Sequence, residues 1–126
     1  MHAVDTNVLV RLIARDDPAQ VVAAERLIEA GAWASTLAVA ETIWVLESNY
    51  DFTAEELCAA IGMLLDTQDL TLQDTDAVSE ALELFRARPA LGFTDCLLLE
   101  LARKAGHLPL RTFDRKLARV EGAQQL

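Results

Sequence analysis

The chain has 126 residues, 52% of them hydrophobic, which suits one compact domain with a core that needs no disulfide or structural metal. No apolar run reaches the roughly 18 to 20 residues that span a bilayer, and the longest, Leu37 to Leu46, carries Glu41 near its middle, so no membrane role is expected. The formal net charge of −9 argues against a protein that holds nucleic acid by its overall field, because such proteins are basic.

The opening segment His2-Ala3-Val4 is short, apolar and ends at Asp5; no basic stretch followed by an apolar one is present, so no signal peptide is expected. Val8 to Ala14 has helix-forming character. Asp17-Pro18 is a helix start, and Val21, Val22, Ala24, Leu27 and Ile28 keep helical spacing up to Gly31, a natural stop. Ala32-Trp33-Ala34 reads as a short strand, and Ser35-Thr36 leads into a helix over Leu37 to Glu47. Thr53-Ala54-Glu55-Glu56 has capping-box spacing and opens a helix to about Thr67. Leu70-Thr71-Leu72 alternates as a strand. Asp74 or Thr75 then caps a helix that ends before Pro89. Thr94 opens a helix that Gly106 closes, Leu108-Pro109-Leu110 is a brief strand-like run, and Asp114 begins a last short helix. The tail Gln124-Gln125-Leu126 carries no pattern. Cys58 and Cys96 both fall in apolar helical patterns and fit no zinc spacing, so they read as reduced packing residues of a cytoplasmic protein.

The alternation of strands and helices implies one α/β domain over residues 1–126, a three-layer sandwich with a short, mostly parallel central sheet flanked by helices. Ligands of such folds collect at the carboxyl ends of the strands, where Asp5 and Asp114 fall.

Among the 20 acidic residues, four occupy places of interest. Glu41 shares a helix face with Leu37, Ala38, Trp44 and Val45, and no basic residue occurs between Arg26 and Arg86. A carboxylate in an apolar stripe without a cation costs several kcal/mol, so Glu41 is expected to be buried for a function. Asp95 sits on the face of Leu98, Leu99 and Ala102, whereas Glu100 on the same helix faces Arg103 and Lys104 in an exposed salt-bridge pattern. Asp95 also fits a first-turn acid favoured by the helix dipole. Asp5 and Asp114 each fit a helix cap equally well. If the four carboxylates converge, they repel one another unless a divalent cation neutralises them. With no His or Cys beside them, they suit magnesium or manganese, one ion or two. Such a site can activate water for phosphodiester cleavage, with Thr6, Asn7 and Thr112 as orienting groups. His2 and His107 are isolated and read as structural or exposed.

These segments resemble the motifs of PIN-domain nucleases. Val4-Asp5-Thr6-Asn7-Val8-Leu9 resembles the opening motif, and Ser35-Thr36 through Ala40-Glu41 with Val45-Leu46 the second. Phe93-Thr94-Asp95-Cys96-Leu97-Leu98 resembles the third, and Leu110-Arg111-Thr112-Phe113-Asp114-Arg115-Lys116-Leu117 the fourth. Size and order are similar to the toxin half of bacterial toxin–antitoxin pairs of the VapC type. The resemblance implies an endoribonuclease, a homodimer and a cognate antitoxin that inhibits it. It implies Asp5, Glu41, Asp95 and Asp114 as the metal-site acids, with Thr112 as the hydroxyl residue two places before the last. It also offers an account of the −9 charge, through an antitoxin whose basic segment pairs with the acidic cleft. RNA would then meet local Arg clusters: Arg11 with Arg15, Arg86 with Arg88, or Arg111 with Arg115.

Two other readings fit less of the chain. A phosphotransfer domain with Asp5 as nucleophile lacks a second Asp two residues on, where Asn7 stands, and lacks a Lys directly after the late strand, where Arg111 stands. A catalytically inactive module of the same fold would keep the acids only to bind a cation or a basic partner.

Overall fold

The computed structural model describes residues 1–126, which divide into two compact units, Met1–Thr75 and Asp76–Leu126. The N-terminal unit runs β1 (His2–Val4), α1 (Thr6–Ala14), α2 (Pro18–Glu29), β2 (Ala32–Ala34), α3 (Thr36–Tyr50), α4 (Ala54–Asp66) and β3 (Leu70–Leu72). The C-terminal unit carries α5 (Thr75–Ala87), a 3-10 turn (Pro89–Leu91), α6 (Phe93–Ala105), β4 (Leu110–Thr112), a second 3-10 turn (Leu117–Arg119) and β5 (Ala123–Gln125). The class is α/β. Every strand pairing is parallel, and the strands form two small sheets, one in each unit.

The sheet of the N-terminal unit has the order β1-β2-β3, with Val4 opposite Ala34 and Ala34 opposite Leu72. All three strands therefore end at one edge, and the residues that follow them, Asp5, Ser35 and Gln73, lie there together. Helix starts are set by local chemistry. Asp17 accepts the Gln20 N–H at 3.1 Å with Pro18 next to it, and Thr53 with Glu56 forms the reciprocal capping box. Leu9, Val10, Val39, Leu46, Leu57, Ile61 and Leu64 are fully or almost fully buried in this unit. Its one fully buried polar side chain, Thr42, donates to the Ala38 carbonyl at 2.7 Å, so its hydroxyl costs little.

In the C-terminal unit, Phe85 of α5 meets Phe93 of α6 edge to face, with ring centres 6.0 Å apart, among buried Val78, Leu97 and Leu99. Gly106 closes α6 in the left-handed region at φ +80°. Three segments differ from the sequence-based expectation. The late strand begins at Leu110, beyond Pro109, which has no N–H to give a ladder. Asp114 starts no α-helix; only the short 3-10 turn follows it. The tail forms β5, pairing Ala123 with Leu110 and Gln125 with Thr112. No helix is long and apolar enough to cross a membrane.

Candidate active site

The N-terminal unit brings Asp5 and Glu41 close through Thr6. Asp5 ends β1 and caps α1: its backbone is extended, and its Oδ1 accepts the Val8 N–H at 3.2 Å. Thr6, the first residue of α1, donates its hydroxyl to Glu41 Oε2 at 3.2 Å. Glu41 sits in α3, whose start is fixed from two sides. Ser35 accepts the Ala38 N–H at 3.0 Å, and the Gln73 side chain accepts the Thr36 N–H at 3.0 Å. The Thr36 hydroxyl donates to Asp74 at 2.8 Å, which places a further acid at the strand ends. The sequence marked Asp74 only as a helix cap, because its pairing with Thr36 depends on β2 and β3 lying side by side.

The expected burial of Glu41 is wrong. Glu41 is exposed, and so are its face-mates Leu37, 67% exposed, and Trp44, 62% exposed. Helix α3 turns Ala38, Val39, Thr42, Ile43 and Leu46 inward instead. Its apolar residues lie nearly all round the helix, so spacing showed which residues share a face but not which face is the core.

The C-terminal unit holds the other two acids. Asp95 lies in the first turn of α6, partly buried, with Leu99 below it fully buried and Leu98 half exposed. Burial, and then the negative charge of Asp114, push the Asp95 carboxyl above its ordinary value of 3.8. Asp114 is exposed and held by its own turn, accepting the Lys116 N–H at 2.8 Å and the Leu117 N–H at 3.0 Å. Its N–H donates to the Thr112 hydroxyl at 2.9 Å, so Thr112 positions the start of that turn. Next to Asp95, burial raises the Cys96 thiol to about 11, as suits an inert packing residue. Cys58 is also free.

The Arg pair on α1 is occupied elsewhere. Arg11 reaches Gln20, Asp16 and Tyr50, and Arg15 pairs with Glu25. Arg86 pairs with Glu83, and Arg111 donates to the Gln125 carbonyl.

Each unit thus supplies a carboxylate pair, and no group of three or more His, Cys, Asp or Glu side chains forms a ready-made metal cage. A pair of carboxylates fits magnesium, which keeps several waters and takes one or two protein carboxylates. The donor set is entirely oxygen. The raised Asp95 carboxyl beside a second acid is a charge conflict that a divalent cation relieves.

A family model described as PIN domain matches residues 3–123, and the match runs through both units and all four acids. No curated protein and no solved structure matches the chain. The chain belongs to the PIN domain family, whose members are generally nucleases and commonly depend on a divalent metal.

Proposed function

We propose that the chain is a magnesium- or manganese-dependent endoribonuclease, acting as the toxin of a type II toxin–antitoxin pair of the VapC type. The observation that carries the metal dependence is the Asp95 carboxyl of a PIN domain, raised by burial and then by the charge of Asp114. In this reading Asp5 and Glu41 of the N-terminal unit, and Asp95 and Asp114 of the C-terminal unit, are the cation-holding acids. A divalent cation bound by them supplies a polarised phosphoryl oxygen and a water of lowered pKa.

The chain's own residues prepare that chemistry. The Thr6 hydroxyl orients the Glu41 carboxylate, and the cap on α1 fixes Asp5 with one oxygen committed to the backbone. Thr112 and the two N–H groups of its turn set the direction of Asp114. Burial, and then Asp114, favour the neutral form of Asp95, which therefore accepts a proton more readily than a free aspartate.

The charge of −9 supports an antitoxin that offers a basic segment to these acids; a homodimer acting in the cytoplasm is part of the same proposal. Cleavage of generic RNA with magnesium or manganese, repeated with EDTA and with Asp5→Asn, tests the mechanism. Loss of cleavage in both controls is expected. Metal-independent cleavage, or full activity of Asp5→Asn, would sink it, and a covalent phosphate on Asp5 would establish phosphotransfer instead.

A further inference from the structure

Glu100 and Arg103, one turn apart on α6, read from their spacing as a surface ion pair, a kind that adds little to stability. Two observations set them apart from Glu83 and Arg86 on α5. The Glu100 side chain is only 11% exposed, against 65% for Glu83, and both of its oxygens accept from Arg103 Nε at 3.2 Å. The guanidinium also reaches beyond its own helix: Arg103 Nη2 donates to the Glu121 carbonyl at 3.1 Å. It fits there because the next residue is Gly122, where a Cβ would stand 2.9 Å from Nη2. From that loop the bonds run on to Asp114. The Gly122 carbonyl accepts the Leu110 N–H at 2.8 Å, where β4 begins, and β5 pairs with β4 along its length. Thr112, the last residue of β4, accepts the Leu126 N–H on its carbonyl at 2.8 Å and the Asp114 N–H on its hydroxyl at 2.9 Å.

We propose that Arg103 is a positioning residue, which holds the β4–β5 pair against α6 and so sets the separation of Asp95 and Asp114 that a divalent cation must bridge. The proposal rests on the metal-dependent reading above and adds the residue that aligns the C-terminal acids. Asp95 lies about two turns before Arg103 on the same α6. Asp114 hangs from β4, so the two acids belong to different elements, and the Arg103 bridge joins those elements. Arg103 bonds neither acid and acts only through the strand pair. A guanidinium suits this task because its planar fork keeps its donors in fixed directions, one on Glu100 and one on the loop. Glu100, held on the shared helix, fixes the plane of that fork. Groups that orient metal ligands from behind in this way set much of a site's affinity.

The test is Mn2+ binding to the full chain, followed by the paramagnetic signal of free Mn2+ well below each variant's melting midpoint. Arg103→Met, which keeps the stem and removes the donors, should raise the Mn2+ Kd about tenfold, with little change in melting temperature. The protein's field predicts the reverse, since taking a cation from a chain of net charge −9 makes it more attractive to Mn2+. A weaker Kd therefore reports geometry and not charge. Arg103→Lys, which keeps the charge but not the fork, should also weaken binding, and it decides the matter alone if Arg103→Met does not fold. In cleavage assays, excess Mn2+ should return Arg103→Met to near wild-type rates, because all four acids remain, while Asp95→Asn should stay low at any Mn2+ concentration. An unchanged Kd in the Arg103 variants overturns the positioning role and leaves the metal site standing. A lowered melting temperature with unchanged Kd makes the bridge purely structural and also overturns it. No Mn2+ bound by the wild-type protein overturns the metal-dependent reading, and the positioning role with it.

Discussion

Asp5 and Glu41 each receive a hydrogen bond from a neighbour that the fold supplies, Val8 N–H for one and the Thr6 hydroxyl for the other. Asp95 sits under the opposite regime, partly desolvated and facing the charge of Asp114. Asp5 has a structural reason to exist apart from any chemistry, since a capped helix is more stable than an uncapped one. Asp95 has a weaker one: the first turn of α6 favours an acid, while burial and the charge of Asp114 disfavour its ionised form.

Substitutions can break this contrast. The largest expected effect is on activity, where Asp95→Asn and Asp5→Asn should each lower metal-dependent cleavage at least about a hundredfold, read from initial rates. Equal activity in either variant would remove that acid from the site. The two should part company in stability. Asp5→Ala should cost about 1 kcal/mol through the lost cap, whereas Asp5→Asn, which still caps, should cost little. Asp95→Asn should leave the melting temperature unchanged or raise it, and a clear fall would show that Asp95 is structural after all. Gly122→Ala probes the C-terminal unit apart from its acids. A Cβ there meets Arg103 Nη2 at 2.9 Å, and the residue holds φ +96°, so a loss of more than about 1 kcal/mol is expected in denaturant titration. The smallest effect concerns Asp76. Lys104 donates to it at 2.6 Å and holds its carboxyl below the ordinary 3.8. The folded pKa is lowered, so the pair's contribution is present above pH 3.8 and fades as pH falls through the folded value. Lys104→Met should flatten that part of the stability profile only.

Much of the fold was legible because local chemistry decides it. Asp17-Pro18, the Thr53–Glu56 box, Gly31 and Gly106 end or begin helices where their side chains and backbones dictate, and β2 and β3 lie where the sequence placed them. Strand β5 was not legible, since Ala123-Gln124-Gln125 has neither alternation nor apolar weight and becomes a strand only by pairing with β4. The four acids were picked out, but for Glu41 the argument from burial fails: the buried polar group of α3 is Thr42, one residue later. The outward turn of Leu37 and Trp44 was not legible, because exposure is a tertiary fact. A helix that is apolar nearly all round hides which of its large residues faces water.

The knot of Arg11, Asp16 and Tyr50 joins the two helices that carry Thr6 and Glu41. Tyr50 donates to Asp16 at 2.8 Å, Arg11 reaches Tyr50 at 3.1 Å, and together they tie the last turn of α1 to the last residue of α3. The Thr6 hydroxyl joins the same two helices again at Glu41, so α1 and α3 are riveted at two points, and the phenolic hydroxyl of Tyr50 is one of the rivets.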